Sequence, residues 1–414
     1  MPSQQTASSS QRYNYPVRIL LFSGKGGVGK TSVAAATGLE LARRGYRTLV
    51  LSVDPAHSLA DAFDLDESLF SSATGLPYPI NKRLAIQEVN IQQEIKRHWQ
   101  EIWSYIVSVL QATGIGEVEA EELAIFPGME EISSLMYVNE YRRNKEYDVV
   151  VVDCAPTAES LRFVSLPNTL EWYMKNIFHL ERTVLRAVRP VANRVSPVKL
   201  PSDSYFGNIK QLFDRLDGIG ALLEDSKVTT VRLVTNPEKM VLRETQRAFV
   251  YFALHGMTVD GIVVNRVLPE AVHDKYFRDW QRSQQKTLGQ IEEYFDPVPV
   301  ARVPLFEHEV VGQQRLADLA RVLYQEPNID PAARHRTEAP FHFEKNGKGY
   351  RIHLRLPFAV PGEVGVFKKG DDLVVEVGTL RRHVGLPTSM AALEPGKAKL
   401  DRGILTVDLT ESRK

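Results

Sequence analysis

Apolar positions along this chain follow two rhythms, and the switch between them divides it. Val17–Ser23 is an almost unbroken apolar run, as in a strand covered on both faces. It ends in a glycine-rich turn; a helical pattern then runs from Lys30 to about Arg44, and Thr48–Val53 is again short and apolar. Strand, loop, helix and strand in that order make a βαβ unit of a parallel sheet. Leu84–Val89, Asp148–Asp153, Thr230–Thr235, Val259–Asn265 and Val298–Val303 repeat the strand signal, with helical patterns between most of them. The expected class is α/β, built on a doubly wound, mostly parallel sheet. Two stretches, roughly 90–145 and 157–225, are longer than a crossover helix requires and mostly helical in pattern. They predict a helical subdomain inserted into the sheet's connections.

Beyond Leu323 the rhythm changes. Gln325–Pro340 holds three prolines and no apolar period, so a linker is expected between one domain at 17–324 and another at 341–414. Short alternating runs follow at Tyr350–Leu356, Leu373–Val377, Thr379–Val384, Ala398–Leu400 and Ile404–Leu409. Hairpin-type turns at 370–372 (GDD) and 401–403 (DRG) separate some of them, which predicts a small all-β sandwich. Residues 1–16 are polar and lack the apolar centre of a secretory signal, so they are expected to be a disordered tail.

Composition narrows the picture. The 51 basic and 51 acidic residues cancel, so no global charge draws the chain to nucleic acid, and none is expected as a partner. Cys154 is the only cysteine. That excludes an internal disulfide, and any zinc or iron–sulfur site built from several cysteines of one chain. No apolar run approaches the roughly 18 residues needed to span a bilayer, so membrane contact is expected to be peripheral or absent. The cytoplasm is the expected compartment, with the plastid stroma as the alternative.

The strongest chemical signal is Gly24-Lys25-Gly26-Gly27-Val28-Gly29-Lys30-Thr31, with Ser32 next in the helix. It satisfies the P-loop pattern, in which glycines let consecutive backbone N–H groups point inward around phosphates at a helix N-terminus. Lys30 is placed to reach the β- and γ-phosphates and Thr31 to ligate Mg²⁺, so ATP and Mg²⁺ are the expected substrate and cofactor. Asp54-Pro55-Ala56-His57-Ser58 follows the second strand, where the carboxyl ends of strands converge on a ligand. An aspartate there can orient or deprotonate an attacking water, although alone it could equally serve a turn or a helix cap. Asp153 closes the strand Val149–Val152, where a carboxylate meets Mg²⁺, usually through water.

With GKGGVGKT, DPAHS and the D-x-A-P-T element Asp153-Cys154-Ala155-Pro156-Thr157 in hand, the chain resembles the arsenical-pump and guided-entry ATPases, a deviant-Walker family. The resemblance covers roughly residues 17–323. It implies a homodimer in which Lys25 crosses to the partner's nucleotide, Asp54 activates water, and the segments 54–58 and 153–157 are nucleotide switches. Pro127-Gly128-Met129-Glu130-Glu131 matches a further family element; Glu238 and Asn265 fall where the family contacts the nucleoside, and Pro304, Leu305 and Glu309 match its late adenine-side loop. There are departures. The C-x-x-C zinc clasp of eukaryotic guided-entry members cannot form, so no structural zinc is expected. Cys154 stands in place of Thr or Ser, and Ala158-Glu159 in place of the usual Gly-His. Residues 341–414 resemble an α-crystallin-like domain, as in the cyanobacterial and plastid type of the family.

That resemblance also implies a groove for hydrophobic segments of tail-anchored membrane proteins. Leu170, Trp172, Met174, Ile177 and Phe178 lie in the more apolar insert and are the candidate lining. Apolar residues on helices more often form ordinary core, and the sequence does not separate the two. A lipid or other small hydrophobic ligand stays open as an alternative cargo, as does an arsenite-type pump or a membrane-positioning role.

Overall fold

In the computed structural model, residues 17–54, 58–66, 75–112, 115–125, 128–155, 163–167, 169–170, 203–325, 329–335, 338–347, 349–370, 372–386 and 388–411 are described. The apolar runs become strands of one eight-stranded sheet. These are β1 (Arg18–Ser23), β2 (Thr48–Ser52), β3 (Tyr78–Pro79), β4 (Leu84–Glu88), β5 (Val149–Asp153), β6 (Thr229–Thr235), β7 (Val259–Val267) and β8 (Val300–Pro304). Their order across the sheet is β3-β4-β2-β5-β1-β6-β7-β8. All neighbours are parallel except the short β3, which runs against β4. Continuous apolar runs suit this arrangement because both faces are covered. Ile19 and Leu21 of β1 enter one core, whereas Leu20 and Phe22 enter the other.

Helix α1 (Lys30–Arg43) lies on the second face. Its Ala34-Ala35-Ala36 run and Gly38 keep it close: a Cβ on Gly38 would collide with Val50 of β2. The other face carries the helical insert. A helix starts at Ile91, passes through a π-helical turn at Ile95–Trp99 and continues as α2 (Gln100–Ala112). Then come α3 (Glu117–Leu123) and α4 (Met129–Asn144). Helix α4 is buried on nearly every side, with Leu135, Met136 and Val138 in the same core as β1 and β5. Helices α5 (Asp203–Leu216) and α6 (Ile219–Glu224) lead back to the sheet.

After helix α7 (Lys239–Leu254), helix α8 (Arg278–Phe295) and helix α9 (Gly312–Leu323), the chain enters its second part. Residues 329–335 do not hang free. Arg18 Nε donates to the Ala332 carbonyl (3.1 Å) and an Arg232 Nη2 N–H to that of Pro331 (2.8 Å). Both guanidinium groups flank buried Asp260, at 3.3 and 3.5 Å.

The C-terminal part is two antiparallel sheets. One has β9 (Phe341–Asn346), β10 (Gly349–Arg355), β14 (Glu394–Pro395), β15 (Lys399–Asp401) and β16 (Ile404–Thr410); the other has β11 (Val364–Lys369), β12 (Asp372–Val377) and β13 (Leu380–Gly385). The expected turn at 401–403 joins β15 to β16, with Arg402 and Gly403 both at positive φ. Strands β9 and β11 are not among the runs expected from the sequence. Both are edges; β9 is largely exposed, so little burial imposes alternation on it, whereas β11 sets Val364 and Val366 half-buried against the core.

This β part docks on α7. Val250 and Leu254 join its core beside Ile352, Leu373 and Leu405. Phe358 stacks edge-on against Phe249 and Phe295, with centroids 5.8 and 5.2 Å away. A polar clamp completes the joint: Arg382 donates to Glu224 Oε1 (3.0 Å) and to His255 Nδ1 (3.1 Å). A guanidinium can only donate, so His255 must present a bare Nδ1 and stay neutral. Burial first, and then the Arg382 charge, push its pKa down to about 3.

The unfolded chain therefore takes up a proton here below about pH 6.5, whereas the folded chain does so only near 3, and stability is lost on acidification through that window. By pH 5 this one group should cost on the order of 2 kcal/mol, and His255→Asn should flatten that part of the profile. Melting curves between pH 8 and 5 test this. Parallel losses in both proteins would remove His255 as the cause.

Candidate functional site

The glycine loop leaves β1 at the point where the order of the strands reverses, with β5 on one side and β6 on the other. Its glycines answer to tertiary neighbours as well as to phosphate. A Cβ on Gly24 would overlap the Val234 carbonyl of β6. Gly29 is the N-cap of α1 at φ 93°, and a Cβ there would overlap the side-chain amide of Asn265. Gly26 and Gly27 are exposed, and Val28 is buried beneath them. Lys30 is buried, with its Nζ donating to the Lys25 carbonyl at 3.3 Å, so the ammonium curls under the loop. Ser32 is half-buried in the first turn of α1.

Asp153 ends β5 directly beside Phe22 of β1. It is wholly buried, and among the described residues neither carboxylate oxygen has a hydrogen-bond partner. Burial pushes its pKa up to about 7, and the negative charges of Asp54 and Glu88 add to the rise. The Thr31 side chain and the Lys30 charge pull the other way. Thr31 stands close to the carboxylate without forming a hydrogen bond to it. A buried, unpartnered carboxylate is costly unless a cation arrives, and a Thr hydroxyl and a Lys ammonium stand beside it. This donor set would fit Mg²⁺, with Thr31 and Asp153 as the residues that would hold it.

The segment expected as the first switch starts from the neighbouring strand β2. The Val53 N–H donates to the Asp153 carbonyl (2.9 Å) and the Asp54 N–H to Ser52 Oγ (3.3 Å), which fixes the exit from β2. Pro55, Ala56 and His57 lie outside the described residues. The chain re-enters in a short helix at Ser58–Ala62, with Ser58 Oγ 3.2 Å from the Thr31 hydroxyl. Glu88, at the end of β4, accepts N–H bonds from Leu59 (2.8 Å) and Ala60 (3.0 Å) on one oxygen. In the segment expected as the second switch, Cys154 and Ala155 are buried, whereas Pro156 and Thr157 lie outside the described residues.

Lys25 is partly exposed and pairs with Glu244 of α7 at 3.7 Å. Glu238 is exposed at the N-cap of that helix. Asn265, expected on the adenine side, here braces the loop: its amide donates to the Val28 carbonyl at 2.8 Å. Pro304 is half-buried and Leu305 exposed at the end of β8. Of the candidate groove residues, Leu170 packs half-buried against the main core, while Trp172, Met174, Ile177 and Phe178 lie outside the described residues. Sequence reasoning missed Glu88 and Glu244. Glu88 had a usable signal, since it is an acid at the carboxyl end of a strand beside β2; Glu244, in mid-helix, had none.

Comparison with known proteins agrees with this geometry. A family model described as anion-transporting ATPase matches residues 17–325, and one described as an HSP20-like domain found in ArsA matches 347–409. A putative arsenical pump-driving ATPase of Aquifex aeolicus is 46% identical over 390 residues, covering 93% of this chain and 98% of that protein. A protein of the same description from Chlorobaculum tepidum is 40% identical, over 92% and 93% of the two chains. The ATPase GET3C of Arabidopsis thaliana is 27% identical over 78% of this chain and 84% of its own. Among the described residues, no helix is long and apolar enough to cross a membrane.

Proposed function

The chain belongs to the anion-transporting ATPase family and hydrolyses ATP, and on that basis we propose that it works as a homodimeric, Mg²⁺-dependent switch that carries hydrophobic membrane-protein segments. The observation that carries the switch is the bare, buried Asp153 carboxylate beside the glycine loop and Thr31. The loop amides and Lys30 hold the phosphates. Thr31 and Asp153 would hold Mg²⁺, which would supply positive charge to offset that of the phosphates. Asp54 takes a proton from the attacking water as its oxygen bonds to the γ-phosphorus and the bond to the ADP oxygen breaks. Lys25 leaves Glu244 and reaches the nucleotide of the second subunit, adding positive charge where negative charge builds up. ATP then draws two subunits together and hydrolysis releases them.

The client reading is supported by the apolar insert at 157–225 and by the HSP20-like domain, a chaperone-type module. The names of the two bacterial relatives favour a second reading, an ATPase that drives an arsenical pump. The single, buried Cys154 speaks against a thiolate cluster for arsenite.

Asp54→Asn is expected to keep ATP binding and to lose hydrolysis by about 100-fold or more. Native mass spectrometry of that variant with ATP and with ADP tests the rest. An ATP-stabilised dimer carrying a hydrophobic peptide supports the client reading, and one carrying a lipid replaces it with a lipid carrier. An empty dimer, together with arsenite-stimulated hydrolysis in the wild type, moves the function to the pump.

A further inference from the structure

Glu88 is a buried acid at this site that has no part in the mechanism above. The first switch leaves β2 at Ser52, and Ser52 lies directly opposite Glu88 across the β2–β4 ladder. At that exit the chain is pinned by the two bonds to Val53 and Asp54. On re-entry it is pinned by Glu88, whose Oε1 takes both the Leu59 and Ala60 amides. Charge-assisted bonds of this kind are about twice as strong as neutral ones, and Glu88 is buried, which strengthens them further. Leu59 and Ala62 of the helix and Phe63 just after it are buried in the core, and Glu88 adds the directional bonds that fix the first amides of the helix.

We propose that Glu88 is a positioning residue for Asp54: it ties the far end of the first switch to the sheet, so that the reach of Asp54 toward the γ-phosphate is fixed at both ends. The same anchor sets Ser58 within 3.2 Å of Thr31. Filling the Mg²⁺ site at Thr31 is thereby felt in the switch helix against a fixed reference. The inference rests on the ATPase reading, with Asp54 as the water activator.

The test compares wild type, Glu88→Gln, Glu88→Ala and Asp54→Asn. It measures single-turnover hydrolysis, equilibrium binding of a fluorescent ATP analogue with Mg²⁺, and amide hydrogen exchange at Leu59 and Ala60. Glu88→Gln keeps an acceptor at the same reach and guards against a misfolded alanine variant. Misplacing a reacting group by about 1 Å can cost on the order of 100-fold, so Glu88→Ala should lose roughly 10- to 100-fold in turnover. Nucleotide affinity should stay within about threefold, and the two amides should exchange faster. Glu88→Gln should fall between alanine and wild type. Wild-type turnover in Glu88→Ala overturns the proposal, as does a loss of affinity at unchanged turnover. Equal losses of turnover in the glutamine and alanine variants with wild-type exchange at Leu59 and Ala60 also overturn it, because charge rather than the tether would then be at work. Should wild type and Asp54→Asn hydrolyse equally, it is the role of Asp54 that fails.

Discussion

Asp153→Asn is expected to make the protein more heat-stable in EDTA and to abolish its Mg²⁺-dependent ATPase. The two effects share one cause. Asp153 is wholly buried with both oxygens bare among the described residues, and burial lifts its pKa to about 7. A carboxyl whose folded pKa lies above its unfolded value of 3.8 is least costly below that value. The cost grows as pH rises toward 7 and is fully present at pH 8, where it is on the order of a few kcal/mol. Asparagine removes the charge at nearly the same volume and leaves only the smaller penalty of an unpaired amide, about 1–3 kcal/mol.

At pH 8 metal-free Asp153→Asn should therefore melt at least a few degrees higher than metal-free wild type. Mg²⁺ with nucleotide should raise the melting temperature of the wild type much more than that of Asp153→Asn, because only the wild type gains the cation that its carboxylate lacks. Differential scanning fluorimetry with and without Mg²⁺, beside a phosphate-release assay, reads both. A lower melting temperature for Asp153→Asn without metal would mean the carboxylate is well satisfied as it stands. Retention of more than about a tenth of wild-type turnover would take Asp153 out of the Mg²⁺ site.

Gly29→Ala should leave a folded protein that binds ATP at least about 100-fold more weakly. Two separate costs meet at this residue. Its φ of 93° lies in the left-handed region, where a β-carbon costs roughly 1–2 kcal/mol. The added Cβ also overlaps the amide of Asn265, which cannot move without releasing the Val28 carbonyl and with it the loop. The double variant Gly29→Ala/Asn265→Ala separates them. It should recover part of the affinity by removing the collision but not the backbone strain. Titration with a fluorescent ATP analogue measures all three proteins. If the single variant binds within threefold of wild type, the loop is softer than its contacts imply.

The same residue illustrates what the chain declares by itself. The phosphate loop is a local device: eight consecutive residues, a strand before and a helix after, with no distant partner needed to specify it. Asp54 and Asp153 were equally legible, because each ends an apolar run and the ends of parallel strands converge on one edge of the sheet. The central sheet could be read for a related reason, since burial on both faces leaves unbroken apolar runs. Strand β9 could not, because an edge strand with largely exposed residues is under no such constraint.

The rest was decided by tertiary structure. Glu88 meets Leu59 and Ala60 only because β4 lies beside β2, and Lys25 meets Glu244 only because α7 runs past the loop. Asn265 lies 237 residues from the carbonyl that it braces. Val250, Leu254 and His255 give no hint in sequence that they face a second domain; they belong to an ordinary amphipathic helix whose outer side is later covered. A periodic pattern states that a face is buried but not what buries it. A local motif states what a loop binds but not what holds the loop in place. Those answers come from contacts between residues far apart in the chain, and only folding brings them together.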